Sequence, residues 1–238
     1  MNTQQTKSFS AGWENAYQSH VIENSEPDLI WDDRPHAFLE EIGLIAKLKS
    51  RRVHTVIDAG CGDGRNSFFL EQNGFFTMGA DISKSALNLA RQRAEAGSHT
   101  KLIFCEEDLC SMKIAGPVDA ILCADCLGQI QNTSQVISEF HRLLVPGGLL
   151  VTNLYDFEDD TFGVGEAHPS LANSFIYKET LFRFFSSDDI AALFPSHLWG
   201  VVEVRKTVWF DPPHGTFRPN PHQHSSFVIL AEKKILEV

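Results

Sequence analysis

The stretch from Val56 to Leu70, VIDAGCGDGRNSFFL, constrains the fold of this 238-residue chain more than any other. It joins a short apolar run to a turn with glycine at every second position, and a helix-like segment follows. Gly60, Gly62 and Gly64 can adopt positive φ angles and let a ligand come close to the backbone. The first N–H groups of the next helix have no partner within that helix, so they are available to a ligand. The pattern predicts a nucleotide-type cofactor site.

Two common nucleotide motifs fit this turn poorly. The dinucleotide fingerprint Gly-x-Gly-x-x-Gly also links a strand to a helix, but here the glycines fall two apart and Asp58 precedes the first. The Lys and Ser/Thr of a phosphate-binding P-loop are absent from the turn. The spacing therefore opposes both NAD and ATP as the ligand.

Apolar runs and helix-like segments alternate along most of the chain. Apolar runs lie at 53–57, 75–80, 101–105, 118–124 and 147–154, and helix-like segments lie at 64–73, 83–97 and 132–144. This alternation predicts an α/β fold with a doubly wound parallel sheet. Ser83 is a predicted helix N-cap. After a short helical run at 190–194, the β-like runs at 201–210 and 225–233 predict an antiparallel terminal hairpin.

The ordered motifs resemble those of the class I S-adenosylmethionine-dependent methyltransferases. That family's first motif is an acidic residue followed by alternating glycines, as in 58–64, and TMGADIS at 77–83 resembles its second strand. Glu-Asp-Leu at 107–109, PVDAILCADCLGQI at 117–130 and LLVPGGLLVTN at 143–153 resemble the motifs that follow. The resemblance implies a Rossmann-like, seven-stranded, mostly parallel sheet with an antiparallel terminal hairpin and an N-terminal helical cap.

One branch of the family is a closer match than the others. Gly-Arg-Asn-Ser at 64–67 and the spacing of Trp13 and Tyr17 resemble the tellurite-resistance and thiopurine methyltransferase-like branch, which acts on small molecules. The resemblance implies a single domain over residues 1–238. Its parts are a helical cap at 1–50, a cofactor-binding core at 51–155 and a substrate-side segment with the hairpin at 156–238.

The resemblance also implies how S-adenosylmethionine is held. Asp81 accepts the ribose hydroxyls, Ile82 flanks the adenine and Asp108 meets the adenine amino group. From the residues themselves, Arg65 is a candidate to pair with the methionine carboxylate, the alternative being a solvated arginine on the helix face. Trp31 is a candidate aromatic wall beside the sulfonium, the alternative being ordinary packing against the sheet. The expected cofactor-binding residues are Trp31, Asp58, Gly60, Cys61, Gly62, Arg65, Asp81, Ile82, Asp108, Leu109 and Ala124.

Catalysis in this family demands positioning more than side-chain chemistry, because the sulfonium is already activated. The candidate catalytic residues are Tyr17, Gln129 and Tyr155. Tyr17 offers a second aromatic face to the sulfonium. Gln129 stands where many family members carry His, and it donates and accepts hydrogen bonds but is not a useful base. Deprotonation of a substrate would therefore depend on Tyr155, Asp156 or His168, which follow the fifth apolar run.

Neither the cysteines nor the histidines predict a metal site. Cys123 and Cys126 form a C-x-x-C, but no second Cys/His pair has zinc-finger spacing, and small apolar side chains on the floor of the cofactor site are the favoured reading. His222 and His224 would share one face of a strand. Flanking prolines and the lack of a carboxylate at metal-ligand spacing favour a substrate-side loop instead.

Charge and composition restrict the partners. The net charge of −11 opposes a nucleic-acid partner, and no apolar run has the length of a membrane span. The first residues, MNTQQTKSFS, lack the charged and apolar regions of a secretory signal, which makes the cytoplasm the expected location. Five cysteines predict reduced thiols rather than a disulfide framework. A small molecule is the expected substrate, and the sequence specifies no oligomeric state.

Three hypotheses for function follow. The first is methyl transfer from S-adenosylmethionine to a small-molecule N, O or S nucleophile by in-line displacement. The second keeps S-adenosylmethionine but cyclises it or transfers its aminocarboxypropyl arm, releasing methylthioadenosine. The third is a cofactor-binding module without catalysis. The by-product separates the first two, because methyl transfer leaves S-adenosylhomocysteine.

Overall fold

The computed structural model describes residues 11–19, 33–213 and 217–235. Residues 11–19 form a helix, α1, and the remaining helices are α2 (Ala37–Glu41), α3 (Leu44–Ser50), α4 (Arg65–Gln72), α5 (Lys84–Glu95), α6 (Thr133–Leu143) and α7 (Ser187–Leu193). The strands are β1 (Thr55–Ala59), β2 (Phe76–Asp81), β3 (Leu102–Glu106), β4 (Val118–Cys123), β5 (Leu144–Tyr155), β6 (Glu166–Ala167), β7 (Ser174–Tyr177), β8 (Thr180–Arg183), β9 (Trp199–Asp211) and β10 (His222–Lys233). A single turn of 3₁₀ helix, Leu127–Gln129, follows β4.

The main sheet confirms the predicted fold class. Among the described residues it has seven strands in the order β3-β2-β1-β4-β5-β10-β9. Strands β1 to β5 pair in parallel, whereas β10 pairs antiparallel with both β5 and β9. The chain leaves β1 toward β2 on one side and returns to β4 on the other. The strand order therefore reverses between β1 and β4, which is where doubly wound sheets bind ligands.

Neighbouring residues of each central strand pack on opposite faces of the sheet, as the period of two requires. On one face, Ile57 and Ile121 belong to an apolar cluster that includes the inner face of α6. On the other face, Val56 and Leu122 belong to a cluster that includes Phe38 and other residues of α2 and α3. The sheet is thus covered on both sides, which explains why its strands are apolar runs without polar alternation.

The predicted helical cap at 1–50 divides into two parts. Phe38 and Leu39 of α2 and Leu44 and Leu48 of α3 are almost fully buried against the sheet, so these helices are part of the core layer. Within the described part of residues 1–50, α1 is the helix that lies over the edge of the sheet where the cofactor is expected, with Tyr17 beside the glycine turn. The amphipathic pattern of α2 and α3 predicts helices with a buried face but does not specify which surface buries it.

Helix ends that are marked by capping residues in the sequence are found in the structure. Ser83 caps α5 by accepting a hydrogen bond from the Ala86 backbone N–H, and Ser186 forms a capping box with Asp189 at the start of α7. The terminal hairpin is β9 and β10. A small antiparallel sheet of β6, β7 and β8 was not predicted, because its strands are only two to four residues long.

The structure bears on two expectations from composition, one about the cysteines and one about membrane-spanning segments. All five cysteines are free thiols, with Cys123 buried in the core and Cys126 at the floor of the cavity described below. None of the helices in the described part of the chain combines the length and the apolarity that crossing a lipid bilayer requires.

Candidate active site

A deep cavity opens at the carboxyl ends of the parallel strands. The residues that follow β1 line it from Gly60 to Asp63. Asp81 at the end of β2 and Ile82 after it also line the cavity, as do the residues after β4 from Ala124 to Cys126. This is the point at which the strand order reverses. Helix α1 and the terminal hairpin close two further sides with Trp13, Tyr17, Asp211, Phe217, Arg218, His222 and His224.

The glycine turn has the strained backbone that its sequence predicts. Gly60, Gly62 and Gly64 have φ angles of 74°, 55° and 92°, in the left-handed region that favours glycine. A Cβ on Gly60 would collide with the Cys126 side chain, and a Cβ on Gly62 would collide with the Tyr17 hydroxyl. The turn is therefore packed on both sides, and its glycines are required by close approach as well as by conformation.

Asp81 is locked at the end of β2. Its Oδ2 accepts the Gly62 N–H at 2.8 Å and its Oδ1 accepts the Ser83 N–H at 2.9 Å. Burial raises the pKa of Asp81, and the backbone hydrogen bonds oppose that rise. These bonds fix the orientation of the Asp81 carboxylate where it lines the cavity.

Asp58, the acidic residue before the turn, has a different place from the one expected. It is buried behind the turn, where its Oδ2 accepts the Ser67 hydroxyl at 2.5 Å, and it does not line the cavity. Burial raises the pKa of Asp58 to about 7, against the hydrogen bond from Ser67 and the charge of Arg65. The hydrogen bond from Ser67 links Asp58 at the end of β1 to α4, so Asp58 stabilises the glycine turn from its buried side.

Glu14 fastens α1 to the rest of the site. Its carboxylate accepts the Ser83 hydroxyl at 2.8 Å and the Ser85 hydroxyl at 2.7 Å, both at the start of α5. Partial burial works against ionisation, but these hydrogen bonds lower the pKa of Glu14 overall. These hydrogen bonds, which we refer to as the clip, hold Tyr17 and Trp13 over the cavity. Trp13 also contacts Phe217, with ring centroids 5.3 Å apart.

Asp125, which follows Ala124 at the end of β4, is held from three sides. Asn153 Nδ2 donates to its Oδ1 at 2.7 Å, His36 Nε2 lies 2.8 Å from its Oδ2 and Arg65 Nη2 lies 3.5 Å from the same oxygen. Burial by itself raises the pKa of this carboxyl, but His36 and then Arg65 hold it below its ordinary value. Asp125 has a φ of 50°, so its backbone is also fixed in an unusual conformation.

A chamber lies beyond Asp125, lined by Trp13, Tyr155, Phe182, Asp211, Phe217, Arg218, His222 and His224, and we refer to it as the acceptor chamber. The His224 ring stacks on Tyr155 with centroids 5.1 Å apart, and its Nδ1 lies 2.8 Å from Asp159 Oδ2. Burial alone lowers the pKa of His224, but Asp159, and then Asp125 and Asp211, raise it overall. Burial and the same three carboxylates raise the pKa of Tyr155 well above its ordinary value, so its phenol stays protonated.

Most of the predicted site residues meet at this cavity. The predicted residues that line it are Tyr17, Gly60, Cys61, Gly62, Arg65, Asp81, Ile82, Asp108, Leu109, Ala124, Gln129 and Tyr155. Asp58 lies behind the turn, and Trp31 is outside the described residues. The alternative bases Asp156 and His168 do not line the cavity: Asp156 accepts the Ser225 hydroxyl, and His168 accepts backbone N–H groups of its own loop.

Sequence reasoning missed residues whose partners are far away in the chain. Asp125 stands within the fourth motif, but His36 comes from 89 positions earlier, and no local pattern joins them. Asp211 precedes a proline-rich connection and Arg218 lies within it, and neither belongs to a motif. His222 and His224 were considered, yet the nearby Asp211 could not be inferred because the pairing register of β9 and β10 was unknown.

Comparison with known families decides between the ligand classes. The family model described as "Methyltransferase domain" matches residues 51–188, which is more than half of the chain. The chain belongs to the class I S-adenosylmethionine-dependent methyltransferase family. Its cofactor is S-adenosylmethionine, as the resemblance of the motifs implies. The comparisons support the class and leave the tellurite-resistance and thiopurine-like branch unconfirmed.

Individual relatives cover part of this methyltransferase. It is 30% identical over 110 residues to a ubiquinone biosynthesis O-methyltransferase of Pseudomonas paraeruginosa, covering 46% of this chain and 44% of the relative. It is 32% identical over 108 residues to a malonyl-[acyl-carrier protein] O-methyltransferase of Enterobacter lignolyticus, covering 45% and 41%. The matched part thus spans less than half the length of each relative.

A solved structure resembles this methyltransferase over almost its whole length. The 1,6-didemethyltoxoflavin-N1-methyltransferase of Burkholderia thailandensis, with bound 1,6-didemethyltoxoflavin and S-adenosylhomocysteine, gives a TM-score of 0.66 over 96% of this chain and 88% of that one. The two are 16% identical in sequence, so the likeness shows the fold alone.

The cavity of this methyltransferase fits a cationic nucleoside. Five aspartates line it, at 63, 81, 108, 125 and 211, against two arginines at 65 and 218 in the described part of the chain. The backbone-locked carboxylate of Asp81 suits a pair of hydroxyls, and the acidic excess suits a sulfonium.

Proposed function

We propose that this methyltransferase transfers the methyl group of S-adenosylmethionine to an oxygen of a small planar acceptor bound in the acceptor chamber. The observation that carries the proposal is the continuity of the cavity, which runs from the glycine turn past Asp125 into the chamber. Its lining residues extend from Gly60 and Asp81 at the turn to His222 and His224 of the terminal hairpin, which supports two ligands side by side.

The glycine-turn end of the cavity binds the nucleoside. Asp81 accepts the ribose hydroxyls with the two oxygens that its backbone hydrogen bonds fix in place. Ile82 and Leu109 flank the adenine, and Asp108 accepts its amino group. Arg65 binds the methionine carboxylate and is itself oriented by Asp125. These roles follow the family pattern, and the positions of the side chains around one cavity support them.

The chamber end is suited to a flat, polar acceptor. Tyr155, Phe182 and Phe217 supply aromatic walls, and Arg218 lies over the Phe182 ring, 5.0 Å from its centroid. A planar ring can stack between such walls while its polar substituents meet Arg218 and Gln129. The relatives that the chain resembles include enzymes named as O-methyltransferases, which supports oxygen as the nucleophile.

S-adenosylmethionine, when bound, supplies an activated methyl group, so the residues of the chain mainly need to position the acceptor. Tyr17, which lies beside the glycine turn, offers its aromatic ring to the sulfonium. Gln129 and Tyr155 orient the acceptor by hydrogen bonds. The raised pKa of Tyr155 keeps its phenol protonated, and the hydroxyl donates to Asp125, which leaves its oxygen as a hydrogen-bond acceptor. The acidic residues around the cavity stabilise the positive charge before transfer.

The chamber argues against cyclisation of S-adenosylmethionine. Cyclisation of S-adenosylmethionine uses no second substrate and calls for an apolar enclosure around the cofactor. The far end of this cavity instead carries Asp211, His222, His224 and Arg218, which are groups for a polar ligand.

Mass spectrometry of the nucleoside products tests the proposal. The purified protein is incubated with S-adenosylmethionine alone, and then with catechol, phenolic acids and matched anilines and thiols. We expect no turnover alone and S-adenosylhomocysteine with a hydroxylated acceptor. Methylthioadenosine formed without an acceptor, over many turnovers, would overturn the proposal. An Asp81→Asn variant should lose most of the turnover because it loses a ribose acceptor.

A further inference from the structure

The terminal hairpin brings together three side chains of a kind that hold metal ions. The antiparallel register places Asp211 of β9 directly opposite His222 of β10, and His224 is two residues further along the same face. One candidate ligand atom from each of the three lies within 4.8 Å of the other two. All three residues line the acceptor chamber, so a ligand there can reach them.

The ring nitrogen that faces a fixed acceptor identifies the other nitrogen of each histidine as the candidate metal ligand. His224 Nδ1 faces Asp159 Oδ2 at 2.8 Å, and a carboxylate can only accept, so Nδ1 carries a proton. His224 Nε2 then points to the chamber, 3.6 Å from Asp211 Oδ2. His222 Nδ1 lies 3.1 Å from the Asn220 carbonyl oxygen, which likewise requires a proton on Nδ1. Both Nε2 atoms are therefore the ones suited to bind a metal.

The hydrogen bonds that orient the two histidine rings are of the kind found around metal-binding histidines. Metal-binding histidines usually donate their other ring N–H to a carboxylate or a backbone carbonyl, which fixes the ring and strengthens the ligand. Asp159 provides this support for His224 and is itself held by the Ser225 N–H and by Thr161. Asp159 is buried, so the orientation of His224 is set by the core of the protein rather than by solvent.

We propose that Asp211, His222 and His224 bind one divalent first-row transition-metal ion and that the hydroxyl of the acceptor coordinates it. Two imidazoles and one carboxylate favour Mn²⁺, Fe²⁺, Co²⁺ or Zn²⁺ over Mg²⁺ and Ca²⁺, which prefer oxygen ligands. Three protein ligands leave open coordination positions for a substrate. The charges of Asp125 and Asp159, which also face His224, compensate the charge of the ion.

To bind one metal ion, the three ligand atoms need to move only slightly closer together. Ligand atoms about 2.1 Å from a metal lie roughly 3.0–3.4 Å from one another. The present spread of up to 4.8 Å therefore closes by somewhat more than an ångström, within reach of side-chain rotation of the half-buried Asp211 and His222. His224 stays fixed by Asp159 and by its stacking on Tyr155.

The inference rests on the proposed function and supplies a means of activating a hydroxyl. Coordination lowers the pKa of the acceptor hydroxyl, and its proton passes to solvent. The oxygen then forms a bond to the methyl carbon as the carbon–sulfur bond breaks. The electron pair of that bond stays on sulfur, which leaves S-adenosylhomocysteine and the methyl ether.

Metal binding is measured first, without S-adenosylmethionine or an acceptor. Tag-free protein is stripped with a chelator and titrated with Co²⁺, followed by the visible absorption of the ion and by calorimetry. We expect one Co²⁺ per chain, and at least about tenfold weaker binding in His222→Ala and in Asp211→Asn. His197→Ala is the matched control, because His197 is exposed outside the cavity, and it should bind like the wild type.

Thermal unfolding separates a lost ligand from a damaged fold. Co²⁺ should raise the unfolding temperature of the wild type and of His197→Ala, and it should leave that of His222→Ala unchanged. A second step adds catechol to the Co²⁺-loaded protein, and coordination of its oxygen should shift the absorption bands.

The outcomes distinguish this inference from the proposed function. Absence of Co²⁺ binding, or equal binding by all variants, would overturn the metal site even if methyl transfer is observed. Binding that catechol does not perturb would overturn the role of the metal in holding the acceptor. Failure to form S-adenosylhomocysteine would count against the proposed function alone, because the Co²⁺ titration does not depend on it.

Discussion

Gly62 and Tyr17 show how closely single residues are fitted around the cofactor turn. In Gly62→Ala the new Cβ meets the Tyr17 hydroxyl, and the φ of 55° also strains any L residue. The strain alone costs about 1–2 kcal/mol of stability. We expect the collision to move Tyr17 as well and to weaken S-adenosylhomocysteine binding by at least about tenfold, measured by calorimetry.

Gly43 provides a matched control for this substitution. It has a φ of 63°, but a Cβ there meets nothing within 4 Å. Gly43→Ala should lose a similar amount of stability and keep its affinity for S-adenosylhomocysteine. Equal loss of affinity in both variants would mean that backbone strain, and not the contact with Tyr17, limits binding.

Asp58 should make the stability of the protein depend on pH. Its pKa is about 7 in the folded protein and 3.8 when unperturbed, so the folded state retains a proton that the unfolded state loses. Its contribution is therefore fully present below pH 3.8 and is lost as the pH rises through 7. The difference of about three pKa units corresponds to at most ~4 kcal/mol.

Asp58→Asn removes this titration while keeping the shape of the side chain. In urea unfolding, the stability of the wild type relative to Asp58→Asn should fall between pH 4.5 and pH 7.5. Asp188→Asn, at an exposed position, should show a constant difference over the same range. A relative stability that stays constant or rises with pH would show that Asp58 is already ionised in the folded protein over this range.

The contrast between Asp81 and Asp125 shows which residues a sequence can identify. Asp81 was predicted because its role depends on local spacing, at the end of a strand about twenty residues after the turn. Asp125 was missed because its role depends on a positive φ and on His36, which packs beside it only after α2 has docked on the sheet. Local chemistry can be inferred from a pattern, whereas contacts across the fold require the packing to be known.

At the scale of elements, the attachment of α1 deserves a direct test. Glu14 is the acceptor for Ser83 and Ser85, so Glu14→Ala removes the clip between α1 and α5. We expect S-adenosylhomocysteine affinity to fall by about fivefold to tenfold, since α1 carries Tyr17. The unfolding temperature should change little because α1 is not part of the two main core clusters.

Glu40→Ala is the control for that substitution, because Glu40 is an exposed acid on α2. It should bind S-adenosylhomocysteine like the wild type. If Glu14→Ala also binds normally, α1 does not depend on the clip for its position over the cavity.

Elements differ in how well they were predicted, and the difference has a physical basis. Long strands such as β5 and helices such as α5 were predicted because apolar runs and capping residues are local signals. The strands β6 to β8 were not, since two to four residues carry no detectable period. The register of β9 on β10 depends on a ten-residue connection, 212–221, whose geometry the sequence does not specify.

At the scale of the whole molecule, charge should make cofactor binding sensitive to salt. The chain has a net charge of −11, and aspartates outnumber arginines around the described part of the cavity. S-adenosylmethionine carries one more positive charge than S-adenosylhomocysteine. Raising the ionic strength from 0.01 M to 0.15 M shortens the Debye length from about 30 Å to about 8 Å, which screens this attraction.

We therefore expect the affinity for S-adenosylmethionine to fall by about threefold over that range, while the affinity for S-adenosylhomocysteine changes less. Calorimetry at matched pH measures both. An identical salt dependence for the two nucleosides would show that the acidic residues act on the methionine carboxylate and ammonium only, and not on the sulfonium.

Strand β10 lies between β5 and β9 in the sheet, although it follows both in the chain. A ribosome therefore completes β9 before its partner exists, and the free edge of β5 waits as well until residues 222–233 emerge. By then the five parallel strands and the glycine turn have all been made. A growing chain thus makes the glycine-turn side of the cavity first, and the hairpin side of the cavity is completed only when β10 emerges.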